Sequence, residues 1–188
     1  MVQNLYLALV HHPIKNKRGD TVTTSVTNLD IHDIARSCKT FGVKKYFIVT
    51  PLKAQHDLVK KILGHWEDDK NGVYNPDRQN ALSIATLVDS VEDALASIEE
   101  KEGKKPLLAV TGANFESFHG TTNDLKDLMG SNDRPCLLLF GTGWGLHQSV
   151  LEKSDFMLDP ILGADESGYN HLSVRSAVAI YLDRYTQK

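Results

Sequence analysis

The sequence predicts an α/β fold with a mainly parallel sheet and helices on both of its faces. Strand and helix patterns alternate from one end of the 188-residue chain to the other, without repeats or low-complexity segments. The apolar run at residues 137–140 reads as a buried strand and is followed by Gly141, Gly143 and Gly145. Glycines at alternate positions let a backbone turn sharply and approach a ligand. Together these observations predict β–α units that build a parallel sheet with a binding turn late in the chain.

The first half of the chain begins with a predicted strand at Leu5–Val10, which ends before Pro13. The polar stretch at residues 15–27 is long for a loop in a compact domain, so it is a candidate functional loop. Apolar residues at i, i+3, i+4 and i+7 over residues 31–38 predict a helix that ends at Gly42. The same criteria predict a strand at Tyr46–Val49, a helix around residues 58–63 that ends at Gly64, and a helix that starts at Asn75 and Pro76.

The second half continues the alternation. Ser90 followed by Asp93 is a capping box, which predicts that a helix begins there. Strands are predicted at residues 84–88, 106–110, 137–140 and 156–158, and helices at residues 91–98, 125–129, 146–151 and 172–185. Because little of the chain follows the glycine turn, its ligand is expected to be bound by the C-terminal end of the domain.

Length and composition favour one globular domain over residues 1–188. Hydrophobic residues make up 41% of the chain and charged residues 24%, and no apolar stretch approaches the roughly 20 residues that cross a bilayer. The N-terminal apolar run is too short for a signal peptide and lacks a leading positive charge. Cys38 and Cys136 lie in apolar patterns, so we expect buried free thiols in a reducing cytoplasm, and no membrane association.

The charged and metal-ligating residues give weaker signals. A net charge of −3 argues against tight, non-specific binding of nucleic acid by a monomer. Lys15, Lys17 and Arg18 nevertheless cluster in one loop, either as a solvated surface or as an RNA contact. His11 and His12 are neighbours, but no further ligands follow at metal-binding spacing, so no metal site is predicted.

Three segments, at residues 29–51, 137–146 and 158–182, resemble in order and spacing the three motifs of the SPOUT superfamily. These are methyltransferases dependent on S-adenosylmethionine (AdoMet), and most of them modify RNA. The first segment matches the family pattern at Arg36, Phe41, Gly42 and Val43, the second at the strand and glycine turn that ends in Gly145-Leu146, and the third at Pro160, Ile161, Asn170, Leu172 and Val174. The chain looks closest to a small single-domain bacterial group of AdoMet-dependent RNA methyltransferases.

This resemblance implies a C-terminal trefoil knot in which three loops hold AdoMet. It also implies a homodimer formed by the last helix and the first-motif helix, with each active site sharing residues of both subunits. Loops rich in small and apolar residues suit adenine, which needs an apolar slot with a few backbone partners. The predicted cofactor-binding residues are Thr111, Gly112, Ala113, Phe140, Gly141, Thr142, Gly143, Trp144, Gly145, Leu146, Leu158, Pro160, Ile161, Asn170, His171, Leu172 and Ser173.

Several of these side chains have a second interpretation. Trp144 either covers the cofactor or packs against the protein. Asn170 and Ser173 could each cap the last helix, and either residue could do so while it contacts the ligand. Arg36 is the predicted catalytic residue, because the resemblance places its counterpart at the active site; the alternative is a surface arginine. Asp165 and Glu166 lie where some family members carry an acidic base, and the alternative is a pair of solvated loop acids.

The sequence therefore predicts an AdoMet-dependent methyltransferase that acts on RNA, either tRNA or rRNA. The first motif departs from the family pattern, because Asp30 replaces an asparagine and His32-Asp33 replace a glycine-alanine pair. Asp30 is instead predicted to be an N-cap, and His32 and Asp33 either reach the side of Arg36 or belong to the charge pattern of a helix start. These departures favour an alternative, a catalytically reduced module that binds AdoMet or a nucleotide and recognises RNA or a protein. A methyltransferase that acts on protein is a third possibility.

Overall fold

The structure is a computed structural model that describes residues 4–67 and 75–187. Strands and helices alternate along these residues, as the sequence predicts. The strands are β1 (Leu5–Val10), β2 (Ile14–Lys15), β3 (Thr21–Val22), β4 (Tyr46–Val49), β5 (Ala85–Val88), β6 (Leu107–Val110), β7 (Cys136–Gly141) and β8 (Phe156–Met157). The helices are α1 (Asn28–Thr40), α2 (Lys53–Glu67), α3 (Pro76–Leu82), α4 (Val91–Glu102), α5 (Thr122–Asn132), α6 (Gln148–Leu151) and α7 (Val174–Thr186).

Six strands form one parallel sheet in the order β5-β4-β1-β7-β6-β8. Both faces of this sheet are covered. Along β1, Leu5, Leu7 and Leu9 face one hydrophobic core together with α1, α2, α3, α5 and α7. Tyr6, Ala8 and Val10 face a second core with α4 and α6. The period-two alternation of a strand thus gives the predicted α/β architecture.

The strand order reverses between β1 and β7. The chain runs outward from β1 to β4 and β5, then returns to build β6, β7 and β8 on the other side. In the register of β1 and β7, Val10 is paired with Gly141. The carboxyl end of the first strand therefore meets the start of the glycine turn, and a crevice forms where the order reverses.

Helix boundaries differ from prediction where the tertiary structure overrides a local signal. Gly64 was predicted to end a helix, but it lies within α2, which continues to Glu67. Asp30 was predicted as an N-cap, but α1 begins at Asn28, and Thr27 is its N-cap with its hydroxyl accepting from Asp30 N. Asn75 and Ser90 do cap α3 and α4 as predicted.

The polar stretch predicted as a loop contains a two-stranded antiparallel hairpin, in which Ile14 of β2 pairs with Val22 of β3. The sequence missed this hairpin because each strand has only two residues, and Ile14 is the one buried residue of the pair. Cys38 and Cys136 are buried free thiols, as predicted.

Candidate active site

A cavity of about 610 Å³ opens at the carboxyl ends of β6 and β7. Three loops line it: residues 111–115 after β6, residues 141–146 after β7, and part of the segment between β8 and α7. Because Gly141 is paired with Val10 of β1, the cavity lies beside the reversal of strand order between β1 and β7, where open α/β sheets bind their ligands. Its size is within the range of small-molecule and cofactor sites.

The loops that the sequence predicts as cofactor-binding come together in this cavity. All of the predicted residues in the first two loops line it, and so do Ile161, Asn170, His171 and Leu172 of the third loop. Leu158, Pro160 and Ser173 lie outside its wall: the first two are buried, and Ser173 is the N-cap of α7. Trp144 lines the cavity with 56% of its surface exposed, so packing within this chain does not account for its side chain. The assignment of these residues to AdoMet stays a prediction.

Two glycines of the second loop occupy positions where a side chain would clash with the backbone or strain it. A Cβ atom on Gly141 would lie 2.8 Å from the backbone nitrogen of Leu146, which is closer than such atoms approach. Gly143 has φ of +57°, a left-handed conformation that β-branched residues strongly disfavour. The backbone of this turn therefore requires glycine at positions 141 and 143.

The third loop is fastened to the rest of the cavity by side-chain hydrogen bonds. Asn170 Nδ2 donates to the carbonyl oxygen of Ala113 in the first loop over 2.7 Å. Tyr181 of α7 donates to the carbonyl oxygen of Asp159 over 2.6 Å, and its ring packs edge-on against Phe140. These contacts hold the three loops around one space. The N-cap of α7 is Ser173 and not Asn170.

A polar part of the wall comes from β2, the segment before α1 and the first turn of α1. It contains Lys15, Thr24, Ser25, Thr27 and Asp30. The sequence marked residues 15–27 as a candidate functional loop because of their length, but it did not single out the threonines. A cluster of hydroxyl side chains close to a predicted helix start was the signal that could have identified them.

His11 is fully buried beside this polar wall. Its Nδ1 atom lies 3.1 Å from Thr24 Oγ1, the hydroxyls of Thr24 and Thr142 are hydrogen-bonded, and Thr142 donates to the carbonyl oxygen of Val10. Because each hydroxyl has one hydrogen to donate, this chain of bonds requires His11 Nδ1 to carry a proton. Within the described residues, His11 Nε2 is then a buried acceptor without a partner. Burial lowers the pKa of His11 to about 4, although the nearby Asp30 acts in the opposite direction.

We expect His11 to make the fold less stable as the pH falls from 6.5 towards 4. In this window the unfolded state binds a proton at His11 and the folded state does not, so the free energy of unfolding rises with pH. The contribution lost between about pH 7 and about pH 4.5 is on the order of 2 kcal/mol. In His11→Asn, an amide N–H can still donate to Thr24 but cannot titrate. Urea unfolding at both pH values should show a pH dependence smaller by this amount, and equal dependence in both proteins would contradict the assignment.

Asp30 and Asp33 join α1 to α7 through Arg175. The Arg175 guanidinium lies 3.7 Å from Asp30 Oδ1 and 3.5 Å from Asp33 Oδ2. Thr27 Oγ1 donates to the other oxygen of Asp30 over 2.6 Å. The first turns of both helices are therefore connected at the edge of the cavity.

The three predicted catalytic side chains do not line this cavity. Arg36 is exposed on α1, and Asp165 and Glu166 are exposed in the third loop. Asp165 Oδ1 accepts from the backbone and hydroxyl of Ser167, as in a local turn. His32 packs edge-on against Trp66 of α2, and it does not line the cavity. The catalytic roles of Arg36, Asp165 and Glu166 stay predictions.

Within the described ranges there is no group of three or more His, Cys, Asp or Glu side chains that could hold a metal ion. The helices in those ranges are all too short or too polar to cross a membrane.

Comparison with known proteins places the chain among methyltransferases. A family model described as SAM-dependent RNA methyltransferase matches residues 4–187. The chain is 45% identical over 185 residues to a protein of Oleidesulfovibrio alaskensis named tRNA (guanine-N(1)-)-methyltransferase. This match covers 97% of the chain but 42% of that protein, so the chain spans less than half of this curated relative. An uncharacterised protein of Aquifex aeolicus is 35% identical, with 97% of the chain and 88% of the relative covered.

Among solved structures, the SpoU methyltransferase AviRb of Streptomyces viridochromogenes, determined with AdoMet, has a similar fold. The TM-score is 0.56 at 17% identity, with 98% of this chain and 57% of that one covered. At this identity the likeness concerns the fold.

Proposed function

Because this chain belongs to the SAM-dependent RNA methyltransferase family, we propose that it transfers the methyl group of AdoMet to RNA. The family predicted from the three motifs is confirmed, and AdoMet is the cofactor that the family description names. The observation that carries the proposed activity is the cavity at the carboxyl ends of β6 and β7. Its glycine turn and its hydroxyl-rich wall give it two chemically different parts.

The glycine turn suits AdoMet, and the hydroxyl-rich wall suits the RNA acceptor. Small and apolar residues such as Gly141, Leu146 and Leu172 offer backbone groups and a slot for adenosine. The hydroxyls of Thr24, Ser25 and Thr27 can form hydrogen bonds to a polar acceptor. AdoMet, when bound, supplies a methyl group on a sulfonium, and the protein must hold the acceptor in line with it. We assign the hydroxyl-rich wall to this positioning.

Two measurements test the proposal. Isothermal titration with AdoMet tests the cofactor site directly. Transfer of labelled methyl groups to RNA from a strain that lacks this protein, followed by mass spectrometry of its nucleosides, identifies the product. A protein that binds AdoMet and labels no RNA would contradict the proposed activity.

We propose tRNA as the class of RNA, because the O. alaskensis relative is named as a tRNA methyltransferase. Which atom of the base is methylated is a separate question. The name of the relative describes a longer protein, and this chain spans 42% of it. Formation of 1-methylguanosine would assign guanine N1 to this chain. If a different methylated nucleoside forms, we would assign the guanine N1 specificity of the relative to the part of that protein that this chain does not cover.

One observation favours the second candidate, a module that binds AdoMet and recognises RNA without transferring the methyl group. Arg36, Asp165 and Glu166 do not line the cavity of their own chain. For these three residues to take part in catalysis, a partner subunit or a rearranged loop must complete the site. AdoMet binding combined with RNA binding and no methylated product would support the second candidate.

We further propose that the protein is a homodimer. Support comes from large apolar side chains that remain exposed near the cavity and on α1: Leu29, Trp144, Leu162 and Tyr169. Sedimentation at micromolar concentration should give roughly twice the chain mass of 20.9 kDa. A monomer with full AdoMet binding and full activity would exclude the dimer.

We also propose that residues 1–188 act as one cytoplasmic domain whose C-terminal segment forms the trefoil knot. The contact of α7 with α1 and β7 and the bond from Asn170 to Ala113 support a C-terminal segment folded against the sheet. Two buried free thiols, Cys38 and Cys136, suit a reducing compartment.

A further inference from the structure

The hairpin formed by β2 and β3 carries three cations beside the cavity. Lys15 lines the cavity, and Lys17 and Arg18 are exposed in the turn that follows. Their side chains form no ion pair or hydrogen bond with any described residue, whereas Lys44, Lys104 and Lys153 are all paired with acids. Unpaired cations at the mouth of a binding site are available to a negatively charged ligand.

The turn that carries these cations has a defined shape. Asn16 Oδ1 accepts from Arg18 N over 2.8 Å and from Asp20 N over 3.0 Å. Asn16 N donates to the carbonyl oxygen of Asp20, and Gly19 adopts φ of +88° to close the turn. Asp20, the acid in this turn, is held by Asn16 Nδ2 over 3.0 Å. Charges on a preformed turn lose less conformational freedom on binding than charges on a disordered loop.

The hairpin is also fixed relative to the glycine turn. Lys15 N donates to the carbonyl oxygen of Gly145 over 3.0 Å, and Ile14 forms a bridge with Leu146. His147 N donates to the carbonyl oxygen of Pro13 over 3.2 Å. The distance from the hairpin cations to the glycine turn is therefore set by backbone bonds.

We propose that this hairpin is the phosphate-binding element for the RNA strand, with Lys15 at the phosphate of the nucleotide that enters the cavity and Lys17 and Arg18 at neighbouring phosphates. The inference rests on the proposed function, since it concerns the acceptor of the same site. A chain with a net charge of −3 does not attract a polyanion as a whole, so local cations must supply the attraction. Lysine and arginine contacts to phosphate position a nucleic acid without reading its sequence.

The test uses Lys15→Ala and the double variant Lys17→Ala/Arg18→Ala. Lys60→Ala/Lys61→Ala is the matched control, because it removes two exposed positive charges from α2, outside the cavity wall. The affinity of each protein for tRNA from a strain that lacks this protein is measured by fluorescence anisotropy at several salt concentrations. AdoMet affinity is measured in parallel by calorimetry.

We expect both hairpin variants to lose at least about tenfold in RNA affinity at low salt, with the AdoMet affinity of Lys17→Ala/Arg18→Ala within about twofold of wild type. The slope of log affinity against log salt should become shallower by about 1 for each lost phosphate contact, and the control should match wild type. Unchanged RNA affinity and slope in the hairpin variants would overturn the inference, as would an equal loss in the control. A wild-type protein that binds RNA through the hairpin without methylating it would contradict the proposed activity and support the hairpin assignment. A wild-type protein that binds no RNA would overturn both.

Discussion

Replacing Arg36 with alanine should lower the rate of methyl transfer by a factor on the order of 10² or more, while AdoMet affinity stays within about twofold. Arg36 is exposed on α1, and Ile31, Ile34 and Cys38 fill the apolar face of that helix. The substitution therefore removes a charge without opening a cavity in the core. Single-turnover transfer to RNA and calorimetry with AdoMet measure the two effects separately.

The matched control is Lys39→Ala, which removes the same charge from an exposed position on the same helix. It should transfer methyl groups at the wild-type rate. Arg36→Lys should recover activity only in part, because lysine lacks the planar guanidinium that binds phosphate in two places. If Arg36→Ala transfers methyl groups at the wild-type rate, Arg36 is a surface charge.

Because Arg36 does not line the cavity of its own chain, we expect it to act at the partner subunit's cavity. Mixing Arg36→Ala with a variant that cannot bind AdoMet then produces heterodimers with one intact site. At equal concentrations about half of the dimers are mixed, so about a quarter of wild-type activity should return. No recovery after verified subunit exchange would contradict action between subunits.

Gly143→Val should fold and lose at least tenfold in AdoMet affinity, about 1.4 kcal/mol. Gly143 has φ of +57°, and a Cβ atom there would lie 3.3 Å from Thr24 Cγ2. A β-branched residue in the left-handed region costs roughly 1–2 kcal/mol, so the turn must change shape in a cavity wall that also includes Thr24. Calorimetry gives the affinity, and circular dichroism verifies the fold.

The control for this substitution is Gly130→Val in α5, where a Cβ atom would meet nothing within 4 Å. It should bind AdoMet like wild type. Should Gly143→Val fail to fold, Gly143→Ala adds one methyl group without branching and should show a smaller loss in the same direction. Wild-type affinity in a folded Gly143→Val protein would show that the turn does not bind the cofactor.

The sequence by itself determined the α/β class, the strands β1 and β4, and the loops that meet in the cavity. These features depend on local patterns. A buried strand such as β7 is a short apolar run, and a turn that requires left-handed backbone is marked by its glycines. The three motifs also led to the correct family, since each combines such a turn with specific neighbours in a fixed order.

Tertiary structure alone decided which residues complete the cavity. The pairing of Val10 with Gly141 depends on strand order, which is set by how the whole sheet packs and not by either segment. That pairing puts His11, Thr24 and Thr142 into one chain of hydrogen bonds. The structure also places Arg36 outside the cavity, although its motif resembles that of a catalytic helix. Helical periodicity shows which face of α1 is buried, but the direction in which its polar face points depends on contacts distant in sequence, such as Arg175 with Asp30 and Asp33.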